Sequence, residues 1–180
     1  MADRVAVAVR DTLEADGFDG LTLQGVAERA AVGRATLYRR WPTRAALVLH
    51  GLAWALSDAV PIIDHGSLRA DLAATLRSIG GFLSSRLGQA VVAAALGSEE
   101  GQAIRRTFWE GRAPEISAIF DRAITRGELR FGFDHEAAFA MLSGSLYFRV
   151  IVAGELVDDD WIRRVLLLLL DGQSPTWGNS

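Results

Sequence analysis

Five arginines, Arg29, Arg34, Arg39, Arg40 and Arg44, fall between residues 28 and 44, where Glu28 is the single acid. A guanidinium is a planar fork of N–H donors that keeps its charge, and it fits two partners well: phosphate oxygens and the O6/N7 edge of guanine. The cluster is local. The whole chain has 19 basic and 22 acidic side chains, net −3, and residues 1–50 hold seven arginines against six acids. A basic patch on an otherwise acidic chain is the electrostatic footprint of a nucleic-acid-binding head. Taken alone, the cluster fits a solvated arginine-rich face equally well.

Other chemistry finds little support. With no cysteine, neither a disulfide framework nor a thiolate metal site can form. His50, His65 and His135 are far apart and none belongs to an HExxH pattern, so His135-Glu136 reads as an exposed helix start. There is no GxSxG, GxGxxG or Walker sequence, and Gly80-Gly81 reads as close helix packing rather than a phosphate loop. No catalytic residue, metal ligand or cofactor is therefore expected, and a helical enzyme would have no nucleophile or acid–base pair to work with.

The elements that must position the arginines are helices, because apolar residues recur with helical spacing and strand-like alternation is nearly absent. Helices are expected over about 3–15, 22–30, 34–41, 43–58, 67–86, 88–97, 99–126, 134–153 and 159–171. Gly17 and Gly20 stop the first; Thr22 and Thr43 are N-caps for the second and fourth. Ser98-Glu99-Glu100 and Asp158-Asp159-Asp160 put acids at helix starts, and Gly127, Gly154 and Gly172 follow helix ends. Pro114 is expected to kink or split the 99–126 stretch. The polar link Asp64-His65-Gly66-Ser67 offers a domain boundary.

Residues 22–41 read as two short helices joined by the break Ala31-Val32-Gly33. Val26, Ala27 and Ala30 face inward from one, Leu37 and Trp41 from the other, and Val32 fills the corner. That leaves Arg34, Ala35, Tyr38 and Arg39 on the outer side of a short helix able to enter the major groove. The run from Leu21-Thr22-Leu23 through Val26-Ala27, Ala30-Ala31-Val32-Gly33-Arg34-Ala35-Thr36-Leu37-Tyr38-Arg39-Arg40-Trp41 to Pro42-Thr43-Arg44-Ala45-Ala46-Leu47 resembles the DNA-binding domain of the TetR family of repressors. More loosely, 126–130, Asp134, 142–149 and the Leu-rich last helix resemble a common C-terminal domain of that family.

The resemblance implies an all-α fold of about nine helices. A three-helix DNA-binding head at 1–50, with its helix-turn-helix motif at 22–41, would precede a helical ligand-binding and dimerisation domain at 51–180. By position it implies that Thr22 and Gln24 meet DNA at the start of the second helix. Arg34 and Ala35 would read bases; Thr36, Tyr38 and Arg40 would mix phosphate and base contacts, with Arg39 beside them; Thr43 and Arg44 would bind phosphate. Two departures stand out. The family usually has Gly where Ala31 stands, so a left-handed turn would carry strain, and it often has Ser or Thr where Gly33 stands, so the recognition helix would lack a side-chain cap.

For the C-terminal domain, Trp54, Phe82, Phe108, Trp109, Phe120 and Phe139 are the candidate lining of an apolar cavity, although core packing accounts for any one of them. Ile162, Leu166 and Leu169 on the last helix, with Phe139, Leu142 and Leu146 on the one before, are the candidate homodimer interface, because six consecutive apolar residues at 165–170 leave a greasy face. The expected partners are double-stranded operator DNA, a second copy of the chain and a small apolar effector. The competing readings are a regulator of this type without a small-molecule effector and a helical interaction module that has lost DNA binding. The apolar runs 90–96 and 165–170 are too short to span a membrane and residues 1–20 have no leader-like apolar core, so a cytoplasmic protein is expected.

Overall fold

A computed structural model describes residues 1–97 and 99–171 of the chain. Its helices are α1 (Ala2–Asp16), α2 (Leu23–Arg29), α3 (Arg34–Arg40), α4 (Arg44–Ala59), α5 (Leu68–Ser84), α6 (Arg86–Gly97), α7 (Glu99–Thr125), α8 (His135–Tyr147) and α9 (Asp159–Leu170). No strand occurs among the described residues. Ser98 and Gly172, expected at helix ends, lie outside them. Contacts divide the chain into two units: Met1–Pro61 with Phe82–Pro114, and Ile62–Gly81 with the chain from Glu115 on.

In the first unit, Val5, Val9 and Leu13 follow a spacing of four along α1 and are buried, as are Leu47, Val48, Leu52 and Ala55 of α4. They share one apolar core with Val26 and Ala27 of α2, Leu37 of α3, Trp41, Leu87 of α6 and Ile104 of α7. The α1–α4 crossing is close because Gly51 has no side chain: a Cβ there would lie 2.4 Å from Val9 Cγ1. Thr22 and Thr43 cap α2 and α4 as their sequence positions suggest, accepting the N–H of Gly25 and of Ala46, each at 3.1 Å. Gly17, at φ 69°, ends α1 and donates to the Leu13 carbonyl at 3.2 Å.

The second unit buries Leu68, Leu72 and Leu76 of α5, Ile116, Ile119, Phe120 and Ala123 of α7, Ala138, Phe139, Leu142 and Leu146 of α8, and Ile162 and Leu166 of α9. Asp71, 1 % exposed, accepts the His65 N–H at 2.6 Å and lies 3.6 Å from Arg122 and 3.4 Å from Arg126. Around it, Asp64 pairs with the same two arginines and Glu128 accepts the Leu68 N–H at 2.7 Å. The polar link at 64–67 is thus tied down by charge to the end of α7.

A split at Pro114 and the end of the helix expected to reach residue 153 are corrected. Pro114 does not split its stretch: α7 is one helix from Glu99 to Thr125 with Pro114 inside it. Proline removes one N–H donor, and 27 residues supply enough other backbone bonds to carry the helix through. The helix expected to reach residue 153 instead leaves α geometry at Phe148 and closes in a π-turn, Phe148–Val152, with the Ala153 N–H on the Phe148 carbonyl. Arg149 supplies the reason. It donates to the Leu156 carbonyl at 2.6 Å, pairs with Glu155 at 2.7 Å and stacks over Trp161, so it draws the chain beyond the helix back onto itself.

Candidate nucleic-acid interface

The end of α2 sets the geometry of the interface. Ala31 has φ 51°, the only non-glycine with positive φ among the described residues. Its N–H bonds the Glu28 carbonyl at 3.1 Å, and the N–H of Val32 reaches the Ala27 carbonyl at 3.0 Å. This pair of bonds is the Schellman motif, and the motif requires a left-handed residue where Ala31 stands. Val32, next in the chain, packs against the core of the unit. The strained turn expected from the sequence is therefore present. So is the uncapped start of α3: Gly33 makes no side-chain cap.

With Leu37 and Trp41 buried, the other face of α3 is open. Arg34, Ala35, Tyr38, Arg39 and Arg40 are exposed, Thr36 is half-buried, and Thr22, Gln24 and Thr43 are exposed on the neighbouring elements. Arg40 lies over the Trp41 ring, its guanidinium carbon 5.3 Å from the centroid, and Trp41 meets His50 at 4.7 Å. Gln24 of α2 and Arg34 of α3 meet at Glu28, which brings candidate positions of the two helices together on the exposed side. Arg44 is different. It is half-buried, with its guanidinium on Glu100 and over the Phe18 ring.

Acids organise several of these side chains, an arrangement the sequence analysis did not anticipate. Glu28 accepts from Gln24 at 3.1 Å and from Arg34 at 2.8 Å. Those two bonds, the amide's first, hold its carboxyl below the ordinary carboxylate range. Arg29 lies 3.7 Å from Asp16. The Gln24–Glu28 spacing of four on one helix is a readable signal. For Glu100, 56 residues from its partner, no local signal exists.

The aromatic residues proposed for a ligand cavity are divided between the units. Trp54 and Phe82 pack against the core of the first unit, and Phe108 meets Trp109 edge-on at 5.5 Å, both half-buried. In the second unit Phe120 is fully buried, stacked on Phe133 at 6.2 Å and 5.7 Å from His135, and Phe139 is buried. Of the side chains proposed for a dimer interface, Phe139, Leu142, Leu146, Ile162 and Leu166 are turned into the chain's own core and Leu169 is half-buried. An unbroken apolar run does not mark its inward side, whereas the i, i+4 pair Ile162/Leu166 does. The exposed apolar side chains of the same region are Met141, Phe148, Ile151, Val152, Leu156 and Leu168. Among the described residues no group of three His, Cys, Asp or Glu is placed to hold a metal, and no helix is long and apolar enough to cross a membrane.

A buried helix pair with an open, arginine-bearing second helix defines a helix-turn-helix DNA-binding regulator. Residues 7–50 match the family described as bacterial regulatory proteins, tetR family, and residues 62–169 match the tetracyclin repressor-like C-terminal domain. The chain belongs to the TetR family of transcriptional regulators. It is 33% identical to the DNA-binding transcriptional repressor TetR of Mycobacteroides abscessus, over 92% of this chain and 91% of that one. It is 28% identical to the HTH-type transcriptional regulator YdeS of Bacillus subtilis, over 94% and 87%. Among solved structures it resembles the TetR family transcription regulator SCO0332, with a TM-score of 0.78, 30% identity and coverage of 96% and 98%. It shares its fold with FadR of Bacillus subtilis, solved with stearoyl-CoA, at a TM-score of 0.68, 15% identity and coverage of 97% and 100%.

Proposed function

We propose that the chain is a cytoplasmic, homodimeric repressor that leaves its operator when a small apolar ligand occupies the C-terminal domain. The observation that carries the DNA half is the open face of α3, where Arg34, Ala35, Tyr38 and Arg39 are exposed above a buried Leu37 and Trp41. Residues 1–50 are the DNA-binding domain and 51–180 the effector and dimerisation domain. Arg34 and Ala35 read base edges. Thr22, Gln24, Thr36, Tyr38, Arg39 and Arg40 divide the remaining base and phosphate contacts, and Thr43 and Arg44 take backbone phosphate. The protein acts by binding, with no catalytic step.

The dimer rests on the exposed apolar set. Met141, at 67 %, and Leu168, at 71 %, with Phe148 and Val152, expose large apolar side chains that pairing with a second copy would cover. A two-fold pairing through this surface would present two recognition helices to successive major grooves, about 34 Å apart, and so select a near-palindromic operator. The ligand half draws on the fold, which in FadR holds stearoyl-CoA, and on the aromatics of both units. One observation favours a second reading, a regulator without a small-molecule effector: Phe120 and Phe139 are spent on the core.

Selection from a random duplex library tests the DNA half; a near-palindromic consensus is expected, and no enrichment would refute it. Arg34→Ala should relax the preference at one base position per half-site and weaken operator binding by about 1–3 kcal/mol. Sedimentation of Met141→Glu/Leu168→Glu should show monomers that lose operator affinity. A thermal-shift screen with acyl chains and aromatic apolar compounds, followed by operator release, separates the ligand-responsive reading from the effector-free one.

A further inference from the structure

We propose that Glu100 competes with DNA for Arg44, so that operator binding exchanges one oxyanion partner for another. The inference rests on the reading of the start of α4 as a phosphate contact. Arg44 Nε lies 3.3 and 3.2 Å from the two carboxylate oxygens of Glu100, and Nη2 donates to Oε2 as well. Nη1 points to the Phe18 carbonyl at 3.5 Å, and the guanidinium carbon sits 4.3 Å from the Phe18 ring centroid. One edge of the fork is therefore filled, and the ring face fixes its plane. A phosphate would bind best at the same Nε/Nη2 edge, because that edge presents two parallel donors.

Glu100 is also well placed in its own helix. It lies in the first turn of α7, where the helix dipole favours negative charge. Its carboxylate also raises the already high pKa of Arg44, so the guanidinium does not leave the pair by losing its charge. Exchange is the remaining route. The pair is partly open, with 31% and 36% of the two side chains exposed, so a DNA phosphate can approach without unfolding the head. Glu100 thereby sets how much of the Arg44–phosphate attraction is realised as affinity. It is a positioning residue acting through Arg44.

The test uses the full chain and a fluorescent mixed-sequence duplex of about 30 base pairs, long enough for two successive major grooves, titrated at several salt concentrations. Glu100→Gln should tighten binding about fivefold, the upper range for a partly exposed pair. Arg44→Ala should weaken it and lower the salt slope by about one per protomer. In the Arg44→Ala background, Glu100→Gln should add nothing. Equal tightening in both backgrounds would mean general charge relief and overturn the exchange. No tightening from Glu100→Gln, with Arg44→Ala still weakening, would overturn it while leaving the phosphate contact standing. If Arg44→Ala changes neither affinity nor slope, the phosphate reading itself fails. Should Glu100→Gln not fold, the Arg44 Nε–H resonance of the unmutated chain decides: it should move when the duplex is added, and an unmoved resonance refutes the proposal.

Discussion

Replacing Ala31 by glycine should stabilise the first unit. At φ 51° the alanine Cβ crowds its own backbone, at a cost of about 1–2 kcal/mol for an L-residue in the left-handed region. Glycine removes that cost but gives back about 0.5–1 kcal/mol through the freedom it adds to the unfolded chain. The net gain is about 0.5–1 kcal/mol, which raises the melting temperature of a unit of this size by about 2–8 °C. The side chain is exposed, so no packing is lost. The chain contains its own control. At the end of α7, Gly127 has φ 76° and the same bond pair, Gly127 N–H to Ile124 and Glu128 N–H to Ala123. Gly127→Ala should therefore lose about what Ala31→Gly gains. Thermal and urea unfolding followed by circular dichroism measure both, and hydrogen exchange at Val32 localises the first. A loss of stability in Ala31→Gly, or a neutral Gly127→Ala, would show that left-handed strain does not govern these two turns.

Further outcomes follow from the packing and the charges. Gly51→Ala should cost about 1–3 kcal/mol because its Cβ would lie 2.4 Å from Val9, and Val9→Ala should restore much of that in the double variant; a neutral single variant refutes the close α1–α4 crossing. Asp71→Ala should cost about 3 kcal/mol in urea unfolding, since it strips the buried partner from Arg122 and Arg126, and Arg122 Nε and Nη2 already have no hydrogen-bond acceptor. Acid should weaken the second unit. The Gly66 N–H, first among its causes, holds the Asp64 carboxyl below its ordinary 3.8, and the Arg126 side chain, then the Leu68 N–H, hold Glu128 below 4.5. Because both are depressed on folding, their stabilisation is full above the ordinary values and disappears as pH falls through the folded ones. A melting temperature that stays flat down to about pH 3 would contradict this.

Local order was the part of this protein that could be read from its residues. Val26, Ala27, Ala30, Leu37 and Trp41 mark an inward face by spacing alone, and Thr22 and Thr43 announce helix starts because their hydroxyls accept first-turn N–H groups. The left-handed Ala31 followed from its place in the motif. What stayed hidden depends on distance in the chain or on competition between equals. Arg44 and Glu100 meet across 56 residues, so nothing near either predicts the pair. In the run 165–170 every side chain is apolar, and hydrophobicity cannot choose Leu166 for the core over Leu168 for the surface. The π-turn after Tyr147 continues the apolar run of the helix it ends, so hydrophobicity does not mark it; the contacts of Arg149 that accompany it lie downstream.

The division of the chain bears on how such a regulator could be rebuilt. Leu52 and Ala55 of α4, Leu87 of α6 and Ile104 of α7 complete the core that seats the recognition helix. A chimera spliced after residue 50 would cut through that core and leave the buried face of α1, with Val5 and Val9, short of part of its packing. The transplantable piece is discontinuous, Met1–Pro61 together with Phe82–Pro114. The open face of α3 lies outside that constraint: Arg34, Ala35 and Tyr38 are exposed and can vary without touching Leu37 and Trp41 beneath them.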